Sequence, residues 1–431
     1  MKLSGQNPSL QYVIIGNSAA GISAAEEIRK RDPRGRVTVV SDEKTFGYSR
    51  VRLPLFIAGK TTKREMVIAP RTFYASQRIR LLRGETAEAV DPRGQVVHLR
   101  SGKQLPYDRL LVATGSSSKK LGIPGEDLPG VSPLRKITDA ETIKRDLRST
   151  RGPIVIVGGG LVGVKSLEAL VMKRREVHLV ISSDRILSQM LDKRASDFFL
   201  SAFERNGVHV HFHRDVKAFE GTERVKAATL SDGSQLSCEL AIIGKGVVPN
   251  VDCLREAGVS LNQGVIIDDC MASSLPSIYA AGDVAEPIDV LHRKNRANAI
   301  WPTAVEGGRI AGSNMADVPI SFSGGLRMNS VEILGVRVIS AGEWAGGEEI
   351  VSLHSEKGLY RKLVFSEGRL RGFLLVGDVR CAGILTSLIK NRTEVSTHTL
   401  EREMNRGFSY RPRLYAMGGS VQTVELGGMK P

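Results

Sequence analysis

The sequence predicts an α/β fold: two βαβ units built on parallel sheets, followed by a smaller α+β domain at the C-terminus. Two segments carry the first part of that reading. Tyr12 to Lys30 and Ile154 to Lys173 echo one another, each an apolar run, a small-residue turn and an amphipathic stretch. A change of pattern carries the rest. From about Val318 the chain turns to short alternating runs, Val331 to Ser340, Tyr360 to Phe365 and Arg371 to Val376, and a helix is expected near Gly383 to Lys390.

In chain order, Val13, Ile14 and Ile15 read as a buried strand that delivers the turn Gly16-Asn17-Ser18-Ala19-Ala20-Gly21, then a helix and a second strand, Arg36 to Val40. The second unit repeats this with Gly158-Gly159-Gly160-Leu161-Val162-Gly163 and the strand Val177 to Ile181. Between them lie a strand, Gln95 to Leu99, and the run Leu110-Leu111-Val112 ending in Ala113-Thr114-Gly115. The Gly/Ser/Pro-rich stretch Ser116 to Pro133 marks a crossover between domains. Ile242 to Asn250 and Ser277 to Ala285 are further strand-to-turn segments, and Pro302 to Met315 reads as a helix. No period is legible from Thr397 to Pro431.

A strand feeding a glycine-rich turn and a helix start forms a pyrophosphate cradle, because glycine admits close backbone approach and the helix end presents free N–H groups to an anion. Two cradles in one chain predict two Rossmann-like dinucleotide-binding domains, the layout of a flavin enzyme served by a nicotinamide cofactor.

Composition narrows the classes. The 431 residues allow two or three domains, and the 41% hydrophobic content comes in runs too short for a membrane span. The start, Met1 to Leu10, shows no signal or transit pattern, and a cytoplasmic location is expected. Lys and Arg number 61 against 46 Asp and Glu, a formal +15, yet the charge is scattered and aromatics are 5%, which points to an acidic protein partner and away from nucleic acid. Cys238, Cys253, Cys270 and Cys381 show no CxxC and no clustering, so no zinc or iron–sulfur site held by cysteine alone is expected, and no metal site at all.

Gly16 to Gly21, the run Tyr107-Asp108-Arg109-Leu110-Leu111-Val112-Ala113-Thr114-Gly115, and Ile278-Tyr279-Ala280-Ala281-Gly282-Asp283 resemble the three FAD motifs of the pyridine-nucleotide-disulfide oxidoreductase superfamily. Gly158 to Gly163 resembles its NAD(P) motif and Gly246-Val247-Val248-Pro249-Asn250 its return strand. Tyr48-Ser49-Arg50 resembles the rubredoxin and ferredoxin reductase branch, which is cysteine-independent here. The resemblance implies a glutathione-reductase-like arrangement. Residues 1–118 and 248–318 would form a discontinuous FAD domain, 119–247 the NAD(P) domain and 319–396 the α+β domain. Outside the resemblance, the tail 397–431 sets Arg402, Arg406, Arg411 and Arg413 around Phe408, Tyr410 and Tyr415, residue types enriched at protein interfaces, and is expected to help hold a partner.

Carried over by resemblance, Gly16, Ser18, Ala19, Ala20 and Gly21 would hold the FAD pyrophosphate, with Ser18 standing where a glycine is usual. Asp42 or Glu43 would accept from the adenosine ribose, and Ala113, Thr114 and Gly115 would line the same cofactor. Asp283, after Gly282, would bond the ribityl chain. Arg50 and the helix start Pro302-Thr303-Ala304 would lie near the flavin. Gly158, Gly160, Leu161, Val162, Gly163 and Gly246 would hold the nicotinamide dinucleotide.

Three departures from the family pattern bear on chemistry. Val51 stands where several relatives place a redox cysteine, so electrons have no thiol relay and leave to something outside the chain. Lys165 stands where the family places a glutamate near the nicotinamide. The strand before Ser182 and Ser183 ends without the carboxylate that grips a 2′-hydroxyl or the arginine that grips a 2′-phosphate. The branch implies NADH, and Arg174 or Arg175 keeps NADPH open. His209, His211 and His213, at period two, read as an exposed strand face rather than a metal site.

The resemblance thus implies an FAD-dependent oxidoreductase that moves electrons between NAD(P)H and an acidic iron–sulfur carrier. Alternatively the chain is the NAD-linked flavoprotein subunit of a larger complex, for instance one oxidising a 2-oxoacid through iron–sulfur subunits. A thiol-independent peroxide, disulfide or polysulfide reductase and a non-enzymatic redox sensor or scaffold are the rival classes, and a homo-oligomer is compatible with all of them.

Overall fold

The computed structural model describes residues 9–405. Two compact units divide the chain, the first running to Val336 and the second starting at Arg337.

The first unit holds two five-stranded parallel sheets. One is ordered Ile278–Ala280, Arg109–Val112, Gln11–Ile15, Arg36–Ser41, Ile79–Arg83. The Gln11–Ile15 strand is central, with Ile14 opposite Val39 on one side and Leu111 on the other. Its near-continuous apolar run follows from burial on both faces, and Ile14, Leu110, Leu111 and Val112 are fully buried. The second sheet is ordered Val131–Pro133, Leu240–Ile243, Ile154–Val157, Val177–Val180, Val208–His211, again with the strand that feeds the glycine turn at its centre.

Small residues set the depth at which helices lie on these sheets. Helix Ala19–Arg31 packs against helix Trp301–Met315 so closely that a Cβ added at Gly308 would meet the Ala20 carbonyl oxygen at 2.2 Å, and one at Gly312 the Ala24 carbonyl oxygen at 2.6 Å. The helix expected from Pro302 is therefore held on the first βαβ unit by contacts of high sequence separation. An antiparallel pair, Ser116–Ser118 with Val247–Pro249, makes the double crossover between the sheets.

Residues 320–325, placed by the sequence reading in the C-terminal domain, are hydrogen-bonded into the first unit: Phe322 N–H donates to Asp269 O at 2.7 Å, and Gly325 N–H to Ile288 O at 2.7 Å. The division at Arg337 lies correspondingly later than position 319.

The second unit carries the antiparallel strands Val336–Gly342, Arg369–Val376, Leu359–Ser366 and Glu348–His354, in that spatial order, and helix Ala382–Lys390. A further helix, Thr397–Asn405, forms where no period was legible, anchored by buried Leu400. Of the tail residues expected to meet a partner, Arg402 lies on this helix; Arg406, Phe408, Tyr410, Arg411, Arg413 and Tyr415 lie outside the described residues. Among the described residues no helix is long and apolar enough to cross a membrane.

Candidate functional site

Both glycine turns sit at topological switch points, where the strand order leaves the central strand in opposite directions and opens a crevice at the strands' C-terminal ends. At the first, Gly16 has φ +125° and a Cβ there would lie 2.0 Å from the Ala113 carbonyl oxygen, so only glycine lets the two strand ends approach. Ser18 caps the following helix with an extended backbone, its side chain makes no capping bond, and the first turn holds no acidic residue. The N–H groups of Ala19, Ala20 and Gly21 thus face the crevice without an acidic neighbour in their own turn. Gly282 and Ala304 converge on this turn: a Cβ at Gly282 would lie 3.2 Å from Ala20 Cβ and 3.8 Å from Ala304 Cβ. Gly115, at φ +69°, faces open space.

Asp283, just beyond Gly282, is fixed from two directions. Arg135 donates from Nη2 to Asp283 Oδ2 at 2.5 Å, and Ser116 Oγ donates to the same oxygen at 2.9 Å. Arg135 also donates to Ser116 O and Oγ, at 3.0 and 2.7 Å. Its role is invisible in the sequence, because it follows the edge strand Val131–Pro133 in no motif and meets Asp283 across 148 positions. Thr114 Oγ1 donates to Asn250 O at 2.7 Å, tying the end of the Tyr107 to Gly115 motif to the return segment.

Arg50 lies in a second cluster. It donates to Glu43 Oε1 at 2.6 Å, to Tyr48 Oη at 3.2 Å and to Arg135 O at 3.0 Å. Tyr48 Oη donates to Glu43 Oε2 at 2.8 Å and accepts from Ile137 N–H at 2.9 Å. Burial holds the Tyr48 phenol above its ordinary pKa, so it stays protonated. Burial opposes the Arg50 charge, yet Tyr48 and Glu43 outweigh it and raise its pKa. Of the two carboxylates considered for a ribose, Glu43 is 10% exposed and committed to Arg50, whereas Asp42 is 48% exposed and pairs with Lys136 at 2.6 Å. Asp42 is the more open acceptor. A cavity of about 350 Å³ is lined by Gly16, Ser41, Asp42, Thr114, Lys136 and Asn250 among others. A cavity of about 420 Å³ lies near Gln11, Arg36 and Arg80, where the strands begin, at the edge opposite the glycine turns.

At the second switch point Gly158 has φ +110° and a Cβ there would lie 2.5 Å from the Gly244 carbonyl oxygen. Gly160 caps helix Leu161–Val171, whose first turn again has no acidic residue. Gly246 faces open space. Lys165 ion-pairs with Glu168 at 2.8 Å and donates to the Glu332 carbonyl, while Glu168 accepts from Leu334 N–H at 3.1 Å. Lys165 therefore anchors the segment around Leu334. Ser182 Oγ accepts from Lys245 Nζ at 3.3 Å, and Lys245 is ion-paired with Asp215. Ser183 Oγ is spent on Arg185 O at 2.8 Å. Arg175, kept open as a phosphate ligand, is corrected by the structure: it precedes the Val177–Val180 strand and donates to Gly152 O at 2.8 Å, at the end where the strands begin and away from the glycine turn.

The expected exposed histidine face is present in part: His209 and His213 are exposed and His211 is half-buried. His213 falls beyond the Val208–His211 strand at φ 54°, and His178 from the neighbouring strand stacks on His209 and His211 with centroids 4.9 and 5.3 Å apart. His178 and His211, both half-buried, thus lie beside the exposed His209. All four cysteines are free thiols. Burial pushes the Cys238 thiol up to about 12 and those of Cys253 and Cys381 up to about 11, and Cys270 is also raised, so none is a thiolate near neutral pH. Val51 is 66% exposed. Asp268, Asp269 and Cys270 bring ligand-type atoms within 4.8 Å of one another in an exposed turn. Asp268 there is already engaged by the N–H groups of Cys270 and Ala272, at 2.9 and 2.8 Å.

Residues 10–308 match the pyridine nucleotide-disulphide oxidoreductase family, and residues 328–393 match the rubredoxin NAD+ reductase C-terminal domain. The chain is 30% identical over 392 residues to the NADH-dependent phenylglyoxylate dehydrogenase subunit epsilon of Aromatoleum evansii, covering 90% of this chain and 93% of that one. It is 28% identical over 391 residues to the NAD(P)H nitrite reductase of Bacillus subtilis, spanning 90% of this chain but 48% of that longer protein. Putidaredoxin reductase, solved in covalent complex with putidaredoxin, superposes with a TM-score of 0.85 at 24% identity, covering 94% of this chain and 100% of that one, a likeness of fold. With two nucleotide cradles at two switch points and a match over most of its length, the chain belongs to the pyridine nucleotide-disulphide oxidoreductase family, FAD enzymes that exchange electrons with a pyridine nucleotide.

Proposed function

We propose that this chain passes electrons from NADH to an acidic iron–sulfur protein, one electron to each of two carriers per nucleotide, releasing NAD+ and a proton. The observation that carries the reading is at Val51: an exposed apolar residue occupies the position of a thiol relay, and all four cysteines hold raised pKa values elsewhere. Without a relay, electrons leave to an acceptor outside the chain. The rubredoxin and ferredoxin reductases among its relatives support that acceptor class.

Bound FAD supplies the conversion between a two-electron donor and one-electron acceptors. The chain's own groups then have these roles. The N–H groups of Ala19, Ala20 and Gly21, with Gly16 and Ser18, hold the FAD pyrophosphate, and Asp42 accepts from the adenosine ribose. Glu43 instead fixes Arg50. Ala113, Thr114 and Gly115 line the cofactor beside Gly282, and Asp283, oriented by Arg135 and Ser116, accepts from the ribityl hydroxyls. The start of helix Trp301–Met315, with Pro302, Thr303 and Ala304, offers its positive end to the pyrimidine edge. Gly158, Gly160 and the N–H groups of Leu161, Val162 and Gly163 hold the nicotinamide dinucleotide, with Ser182, Ser183 and Gly246 along its path. Lys165 steadies the adjoining backbone. The division of the first unit into a discontinuous FAD domain, 1–118 and 248–318, and an NAD(P) domain, 119–247, is part of this proposal.

NADH is favoured over NADPH because Asp215 neutralises Lys245, the cation that reaches Ser182. A second reading has support of its own. The match to subunit epsilon of phenylglyoxylate dehydrogenase over 93% of that chain favours a flavoprotein subunit working within a 2-oxoacid-oxidising complex. Purification from the native host, with identification of associated proteins and a flavin spectrum recorded before and after NADH or NADPH, tests both. Protein that takes up no flavin on reconstitution defeats both. Flavoprotein that is bleached by NADH and co-purifies with iron–sulfur subunits selects the second.

A further inference from the structure

A cluster of cations without ion pairs among the described residues lies near Arg50. Helix Leu53–Ala58 starts three residues after Arg50 and packs against helices Ile137–Ser149 and Leu161–Val171. Lys144 Nζ sits 4.1 Å from the Phe56 ring centroid. A Cβ at Gly59 would meet Lys173 Nζ at 3.4 Å, and Lys60 follows, its N–H donating to Leu55 O at 2.8 Å. Arg148 stands one helical turn from Lys144. Among the described residues none of Lys60, Lys144, Arg148 and Lys173 forms an ion pair, although Lys63, close by in the chain, pairs with Glu141. The crowding has a cost: the Lys144 pKa is lowered by burial first and then by Arg148 and Lys173 beside it.

Exposed apolar side chains accompany these cations. Val51 is 66% exposed, Leu55, one turn further, 40%, and Met172, adjoining Lys173, 49%. An apolar centre with a rim of one charge sign is the composition of a transient protein interface, and like charges held together without counterions favour an acidic occupant.

We propose that the face formed by Leu55, Met172, Lys60, Lys144, Arg148 and Lys173 is the docking surface for an acidic one-electron iron–sulfur carrier. The inference rests on the function proposed above and adds where the carrier binds. Carboxylates on the carrier pair with the four cations, relieve their mutual repulsion, and seat its apolar patch on Leu55 and Met172.

The test uses the full FAD-loaded chain with two purified acidic carriers, a [2Fe–2S] ferredoxin and a rubredoxin, and with ferricyanide as a small acceptor. In Leu55→Ser/Lys173→Glu and in Lys60→Glu, the KM for the carrier that the wild type reduces should rise by ~10-fold, with ferricyanide rates and FAD content unchanged. Raising salt should impair the wild type and leave the double variant nearly unaffected. An unchanged carrier KM in both variants, beside a wild type that reduces the carrier, overturns the docking face alone. A wild type that reduces neither carrier overturns the proposed function and takes this face's occupant with it. Sedimentation supplies the remaining outcome: a wild-type dimer that dissociates on these substitutions assigns the face to a second copy of the chain and overturns the proposal.

Discussion

Arg135 and Asp283 meet at 2.5 Å across 148 positions of sequence, so the carboxylate at the end of the third FAD motif is oriented from the edge of the other sheet. Asp283 is 17% exposed, and Ser116 Oγ completes its hydrogen bonding on the same oxygen. Replacing Asp283 by Ala removes a charged acceptor for the cofactor and leaves Arg135 without its partner. A loss of about 1.5–3 kcal/mol of FAD affinity is expected, or ~10–100-fold in Kd. Arg135→Ala should weaken FAD less, since the carboxylate survives and loses only its orientation. Flavin released on dialysis, followed by fluorescence, ranks the three proteins; equal retention would remove Asp283 from the cofactor site.

Thiol independence gives a second expectation. Three of the four cysteines are buried and Cys270 is partly exposed, and all four have raised pKa values. Replacing all four by Ser or Ala should leave NADH-to-ferricyanide turnover within a few-fold, once folding and FAD content are matched. Buried Cys238 is the position where the replacement most affects stability, because its thiol packs among Val155, Phe219 and Ala228. Turnover lost in a folded, flavin-loaded variant would reveal a relay.

The parts of this molecule that are legible in sequence are those encoded by contiguous residues. A strand, a glycine turn and a helix start within about twenty positions, and both cradles could be read because each needs its glycines at fixed local offsets. Strand Glu348–His354 gives no such signal: Val351 and Leu353 remain exposed, so apolar and polar residues do not sort onto two faces. Helix Thr397–Asn405 is polar nearly throughout, with Leu400 as its buried anchor, too little for a readable period. Arg135 and Lys245 escaped for another reason. Each acquires its role from a partner on a different segment, which no local pattern encodes.

The stacked histidines make stability depend on pH. His178 is held below the ordinary histidine pKa of 6.5 mainly by burial, with His209 adding to the shift and Glu176 opposing it. His211 is lowered by burial and then by His178, His209 and Arg214, against Asp232. Below about 6.5 the unfolded chain binds protons that the folded one refuses, so stability is complete above that pH and falls as the solution is acidified through the folded values. Asp232 and Asp378, held at about 2, have their own loss at lower pH and leave this window to the histidines. The melting temperature should therefore fall between pH 7 and pH 5, and His178→Gln, which cannot titrate, should flatten the slope. An unchanged slope in that variant would place the dependence elsewhere.

Cofactor choice turns on Lys245 and Asp215. Lys245 Nζ reaches Ser182 Oγ at 3.3 Å, at the strand end where a Rossmann domain meets the 2′ substituent of its nucleotide, and Asp215 pairs with that ammonium. While the pair persists, the site presents a hydroxyl and little net charge, which suits a 2′-hydroxyl and offers a 2′-phosphate no unshared cation. Asp215→Asn keeps the side chain's size and releases the lysine's charge. NADP+ binding, measured by titration calorimetry, should tighten by ~10-fold with NAD+ binding changed by less, and the ratio of kcat/KM for NADPH over NADH should rise in step. Lys245→Met provides the opposing arm: removing the cation should leave NAD+ binding nearly intact and abolish the gain in the double variant. If Asp215→Asn leaves both affinities unchanged, Lys245 does not face the 2′ position and the preference for NADH has another origin.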